Sequence, residues 1–279
     1  MPGSRDWNVP DDDPSNACLD GLNQFPGGDA EDAHLRETVV GYFEACAALS
    51  HRLAVIMAAG VLGCSLAEAE SSSMVQDLKQ QHTSYLRMNY YPTCDEDTVE
   101  AETKSKGTPP LGISPHRDAG FLTVLLQDDD CHSLQVLFGD DEWHTVHPVP
   151  GALTINTGDM AQIWSNGRYT APLHRVLTSP TKTRFSAPFF YNPGYPVTVE
   201  PVLTGLNKDV PRLYHPCLWG YFRAVRFAGD LTDLGVEIQT EDYLVEGGSK
   251  HIAKQSAFAS RARFDEAFSV EGFRDLLVG

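Results

Sequence analysis

The sequence predicts a mainly β fold, a sandwich or jelly roll with helical segments at both ends. Three observations carry that expectation. Eight short strand candidates follow one another, at 121–127, 134–138, 143–146, 152–156, 161–164, 174–177, 184–191 and 197–199. Turn signals such as Gly139-Asp140-Asp141, Pro150-Gly151, Gly158-Asp159 and Ser179-Pro180 separate them, a rhythm that suits an all-β core rather than an α/β sheet. Upstream, residues 84–91 alternate, with Leu86, Met88 and Tyr90 on one face and Tyr85, Arg87, Asn89 and Tyr91 on the other, which is the period of a strand.

Taken in order, residues 1–30 are rich in Asp, Pro, Gly and Asn without periodicity and read as a flexible tail. From Glu31 the pattern becomes helical. Leu35, Val39, Phe43, Cys46, Leu53 and Met57 recur at spacings of three, four or seven, and the run stops at Gly60 and Gly63. Ser65 and Glu68 then form a capping-box signature that opens a short helix. After the strand at 84–91, an acidic stretch from Pro92 to Pro110 reads as a loop. Among the later turns, Asn166-Gly167 is the strongest hairpin signal. The tail carries an aromatic, helical stretch at Trp219-Gly220-Tyr221-Phe222-Arg223 and a terminal helix candidate around 260–268. The expectation is one domain over 31–279, helical at 31–81, with a β core at 83–200 and a C-terminal extension at 201–279.

Composition narrows the function. The net charge of −17, from 21 basic and 38 acidic residues in 279, opposes binding to nucleic acid or an anionic membrane, since both need a basic patch. The six cysteines, Cys18, Cys46, Cys64, Cys94, Cys131 and Cys217, form no C-x-x-C pair, which favours reduced thiols and a cytoplasmic setting. The most apolar stretch, 53–63, is too short to span a bilayer.

The chemistry concentrates in His116-Arg117-Asp118, His174 and Arg184-Phe185-Ser186. A histidine and a carboxylate two residues apart on a strand share a face, and a second histidine completes a two-histidine, one-carboxylate set suited to Fe(II) with open positions. Arg184 and Ser186 repeat the two-residue spacing and offer a fork of donors plus a hydroxyl to a small carboxylate. A buried arginine needs such a partner.

These motifs resemble the isopenicillin N synthase-like group of Fe(II)/2-oxoglutarate-dependent dioxygenases. The likeness runs through Arg87-Met88-Asn89-Tyr90-Tyr91-Pro92, His116-Arg117-Asp118-Ala119-Gly120-Phe121-Leu122-Thr123, Asn156-Thr157-Gly158-Asp159, Trp164-Ser165-Asn166-Gly167, His174-Arg175-Val176 and Arg184-Phe185-Ser186. The resemblance implies a double-stranded β-helix (jelly-roll) core. It also implies Fe(II) held by His116, Asp118 and His174, and 2-oxoglutarate held by Arg184 and Ser186 with help from Asn89 and Tyr91. The implied reaction uses O2, decarboxylates 2-oxoglutarate to succinate and CO2, and hydroxylates, desaturates or cyclises a small organic substrate. Two alternatives stay open: a 2-oxoglutarate-independent oxidase on the same fold, and a catalytically silent binding protein. For the substrate, Arg87 shares a face with Asn89 and Tyr91, so it points into the same cavity, while Phe121, Leu125 and Phe189 are candidates for apolar wall.

Overall fold

A cavity lies between two antiparallel sheets and is lined from both. The computed structural model describes residues 23, 25–27, 30–80, 82–128, 130–139, 142–231, 238–248 and 251–262. Nearly all of the expected tail at 1–30, and most of the helix candidate at 260–268, lie outside the described residues. In chain order, α1 (Ala30–Leu62), α2 (Leu66–Glu70) and α3 (Ser73–Lys79) lead into β1 (Tyr85–Leu86), β2 (Asn89–Tyr91) and α4 (Glu96–Lys106). Next come β3 (Leu111–His116), β4 (Leu122–Gln127), β5 (Leu134–Phe138), β6 (Glu142–Thr145), β7 (Thr154–Thr157) and α5 (Asp159–Trp164). The chain continues through β8 (His174–Leu177), β9 (Arg184–Tyr191), β10 (Thr198–Val199), β11 (Cys217–Leu218), α6 (Trp219–Leu231) and α7 (Ile252–Arg261).

One sheet runs β1-β9-β4-β7, with β2 also on β9; the other runs β3-β8-β5-β6. The alternating segment at 84–91 is split between β1 and β2, yet its register against β9 is unchanged across the gap. The reason is Pro188. Arg87 N–H donates to the Pro188 carbonyl at 3.0 Å, but Pro188 has no N–H to return.

The outer face of the β9 sheet is capped by α1. Phe43 meets Phe189 edge-on at a centroid distance of 5.0 Å, and the Tyr42 hydroxyl donates to the Ala187 carbonyl at 3.3 Å. Phe43, Cys46, Ala54, Ala58 and Val61 make the buried stripe of α1. This helix corrects one expectation. The apolar stretch at 53–63 belongs to a 33-residue helix, whose best 18-residue window has mean hydropathy 1.7 and is long and apolar enough to cross a membrane. Its length therefore excludes nothing, and what the structure shows is a helix packed on a sheet. Beyond the reach of α1 the same sheet face carries the exposed side chains of Met88, Tyr90, Leu126 and Phe185.

Three local expectations also change. The stretch from Pro92 to Pro110 holds α4, capped by the Asp95 carboxylate on Thr98 N–H (2.8 Å), closed by Gly107 at φ 72°, and braced by Lys104–Glu100 and Lys106–Glu102 pairs. Residues 161–164 are helical, not a strand. Asn166-Gly167 has the positive φ values of a hairpin turn (55° and 84°), but it ends α5, with Gly167 N–H on the Gln162 carbonyl at 2.9 Å. A left-handed pair serves a helix terminus as readily as a hairpin.

Candidate metal centre

His116 closes β3 and His174 opens β8, and the two are register partners. Their rings lie 4.2 Å apart. Asp118 stands two residues beyond His116, after the strand has ended. The period-two argument therefore does not place it; the turn does. That turn is held by the first N–H groups of α5, which donate to the metal-loop carbonyls: Asp159 to Asp118 at 2.8 Å and Met160 to Gly120 at 3.0 Å. The approach is so close that a Cβ on Gly158 would meet the Gly120 carbonyl oxygen at 2.3 Å. Arg226, from α6, ties in a third element, donating to the carbonyls of Ile238 (2.7 Å) and Arg117 (3.0 Å) and pairing with Asp159 at 3.3 Å. Burial pushes the Asp159 carboxyl up to about 7, against the opposing pull of Arg226 and Arg117.

Side-chain orientation at the centre follows from hydrogen bonding. The Nδ1 atoms of His116 and His174 lie 2.8 and 3.1 Å from the carbonyls of Ser114 and Pro172. Carbonyls accept only, so each Nδ1 carries the proton and each Nε2 keeps its lone pair. Both Nε2 atoms face Asp118 Oδ1, at 3.8 and 3.7 Å. The other oxygen, Oδ2, is occupied by Thr123 Oγ1 (2.6 Å) and Asn156 Nδ2 (2.8 Å). Burial, and then the neighbouring His174, push the His116 imidazole below its ordinary range, keeping it neutral as a ligand must be. Three ligand atoms within 4.8 Å of one another are thus left to converge on a cation, and the two-nitrogen, one-oxygen donor set suits Fe(II).

Arg184 opens β9 and is 2% exposed. Its Nη2 donates to Gln127 Oε1 at 3.0 Å, while Nε and Nη1 have no partner. Among the described residues no carboxylate pairs with it. Ser186 and Asn89 are register partners, 3.4 Å apart through Asn89 Nδ2 and Ser186 Oγ, and Tyr91 pairs with Arg184, its ring 5.0 Å from the guanidinium. All four residues line one cavity of about 310 Å³ together with His116, Asp118 and His174. Two unmet donors on a buried guanidinium are costly unless an acid fills them, so the pocket fits a dicarboxylate whose far end reaches Arg184.

Arg87 and Leu125 also line the cavity. Phe121 and Phe189 do not: both are fully buried in the core on the outer side, Phe121 against Trp164 and Phe189 against Phe43. Inward positions on β9 are Arg184, Ser186, Pro188 and Phe190, so Phe190 is the wall residue and Phe189 belongs to the opposite face. Parity from Arg184 carries that signal in the sequence. Gln127, Thr123 and Asn156 were not assigned roles by sequence reasoning; their places on β4 and β7 opposite the site strands mark them.

Comparison with known proteins agrees with this geometry. Residues 82–193 match the model of the 2OG-Fe(II) oxygenase superfamily. The chain is 41% identical over 145 residues to jasmonate-induced oxygenase 3 of Arabidopsis thaliana, covering 52% of this chain and 37% of that protein. It is 37% identical over 166 residues to gibberellin 2-beta-dioxygenase 8 of the same plant, covering 60% and 44%. A crystal structure of JOX2 in complex with 2OG, Fe and JA superposes with a TM-score of 0.60 at 32% identity, covering 74% of this chain and 55% of that one. The chain thus spans less than half the length of these curated relatives. The His-Asp-His set and the strands that carry the cavity all fall within residues 82–193, the stretch that matches the 2OG-Fe(II) oxygenase superfamily.

Proposed function

We propose that this chain is an Fe(II)- and 2-oxoglutarate-dependent oxygenase that hydroxylates, desaturates or cyclises a small organic substrate. O2 is consumed and 2-oxoglutarate leaves as succinate and CO2. His116, Asp118 and His174 hold the metal, while Arg184 and Ser186, supported by Asn89 and Tyr91, hold the far carboxylate of 2-oxoglutarate. When bound, Fe(II) supplies the O2 chemistry that takes hydrogen from the substrate. The protein's own part is orientation. Thr123 and Asn156 fix Asp118 so that one oxygen faces the two imidazoles, and Gln127 holds one arm of the Arg184 fork while leaving the others free. The order of the two sheets supports a double-stranded β-helix core. A cytoplasmic setting is part of the same proposal, supported by five unpaired cysteines, Cys46, Cys64, Cys94, Cys131 and Cys217.

One observation carries the reading: a buried arginine with two unmet donors opens into the same cavity as a converging His-Asp-His set. The test is an anaerobic Fe(II) titration with and without 2-oxoglutarate, watching for the visible charge-transfer band of the chelate. A band that saturates with one equivalent of each is expected. Iron binding without the band points to an oxidase that needs no 2-oxoglutarate, and no iron binding points to a silent fold.

A further inference from the structure

A second lobe, of about 340 Å³, also touches His116 and Asp118 but none of Arg184, Ser186, Asn89 or Tyr91. Four arginines line it: Arg87, Arg117, Arg223 and Arg226. Two are committed within the fold. Arg226 binds two carbonyls and Asp159, as described, and Arg117 reaches the Ala171 carbonyl at 3.4 Å and Glu241 at 3.8 Å. Arg87 and Arg223 pair with no carboxylate among the described residues. The carboxylate in the lobe, Asp118, turns one oxygen to Thr123 and Asn156 and the other to the histidines, so it competes for neither. In a chain with 38 acidic and 21 basic residues, two unclaimed arginines on one cavity wall call for an explanation.

Arg223 is held in place by aromatic rings. Its guanidinium lies 5.0 Å from the centroid of Tyr85 and 5.2 Å from that of Phe227, and such stacking orients the planar fork while leaving its edge N–H groups free to donate. Tyr85 and Arg87 are two positions apart along one strand face, roughly 7 Å, so both guanidiniums hang over the same patch. Phe190, stacked on Tyr85 at 4.7 Å, and Trp219 supply apolar and aromatic wall in the lobe.

We propose that the main substrate is a small organic acid with an apolar body, its carboxylate held by Arg87 and Arg223. This deepens the oxygenase reading of the same site and rests on it. Arg87 is exposed, whereas Asp118 is 6% exposed. The acid end therefore sits at the mouth, and the carbon presented to the metal is one removed from the carboxylate. Charge-assisted bidentate hydrogen bonds would recognise the acid over any neutral analogue.

The test uses acid and amide pairs, 3-phenylpropanoate with 3-phenylpropanamide and octanoate with octanamide. Their binding is measured by calorimetry on the full chain, alongside 2-oxoglutarate binding in the presence of Mn(II). At least one acid should bind ten-fold or more tightly than its amide. Arg87→Gln and Arg223→Gln should each erase that preference while lowering 2-oxoglutarate affinity far less than Arg184→Met does. Arg184→Met should do the reverse, losing 2-oxoglutarate and keeping the acid. An acid bound no better than its amide in both pairs overturns the proposal, as does a preference that survives Arg87→Gln, a change at an exposed position that the fold tolerates. If the parent fails to bind 2-oxoglutarate, the oxygenase reading fails, while the acid preference is still read independently.

Discussion

The two faces of the β9 sheet are built from the same strands and have opposite jobs. Inward, Gln127, Ser186, Asn89, Thr123 and Asn156 form a polar field around Arg184 and Asp118. Outward, one residue away in each strand, Val124 and Phe189 lie fully buried near α1, with Phe43 packed on Phe189. A one-residue step separates a group that binds from a group that packs. On the proposed reading, the unmet donors of Arg184 on the inner face await a ligand, and the outer face supplies the stability that permits them.

That contrast breaks if inner substitutions unfold the protein or outer ones abolish binding. The largest expected effect is on the inner side. Ala in place of His116, Asp118 or His174 should take iron binding and turnover below detection while the thermal midpoint stays near the parent's. Wild-type-like turnover in any one variant would remove that residue from the ligand set. On the outer side, Phe189→Ala should cost about 3–5 kcal/mol of stability, the usual range for a buried phenylalanine. Denaturant titration should read that loss, with 2-oxoglutarate affinity unchanged in the folded fraction.

A pH titration sharpens the comparison. His82 packs against Phe43 and Tyr191 on the outer side, and burial pushes its imidazole down to about 4. The unfolded chain takes up this proton near 6.5, whereas the folded one resists until about 4. Stability is therefore complete above about 6.5 and falls as pH drops toward 4, by at most about 3 kcal/mol. His82→Phe should flatten that part of the stability–pH curve; an unchanged slope would show that other groups dominate it. The smallest effect is back inside. Arg184→Lys keeps charge and loses the planar fork, so 2-oxoglutarate affinity should drop by about 1.5–3 kcal/mol with little change in stability. Equal affinity in the two proteins would show that Arg184 does not hold the cosubstrate.

Sequence alone made this division partly legible. Alternation along 84–91 indicates which residues of β1 and β2 share a face, because one buried and one lined face impose a strict period. On β9 the same period joins Arg184 to Ser186 but was not followed as far as Phe189, which was expected on the cavity wall and lies on the outer face. Sequence reasoning failed where local chemistry has two uses. Asn166-Gly167 supplies left-handed backbone, which hairpins and helix ends both need. Pro92–Pro110 looked like a loop because α4 has no buried residue and hence no apolar stripe to announce it. β3 escaped notice since its register is twice interrupted, and Asp118 reaches the metal set through tertiary hydrogen bonds that no spacing rule encodes. Arg223 lay too far along the chain for any local pattern to join it to Arg87.

The exposed apolar end of the outer sheet face, where Met88, Tyr90, Leu126 and Phe185 reach past α1, bears on how the protein behaves in bulk. At neutral pH a net charge of −17 keeps copies apart. As acid titrates that charge away, repulsion fades while the apolar patch remains. Solubility should therefore collapse well before the fold does, and light scattering during an acid titration should rise ahead of any loss of circular dichroism.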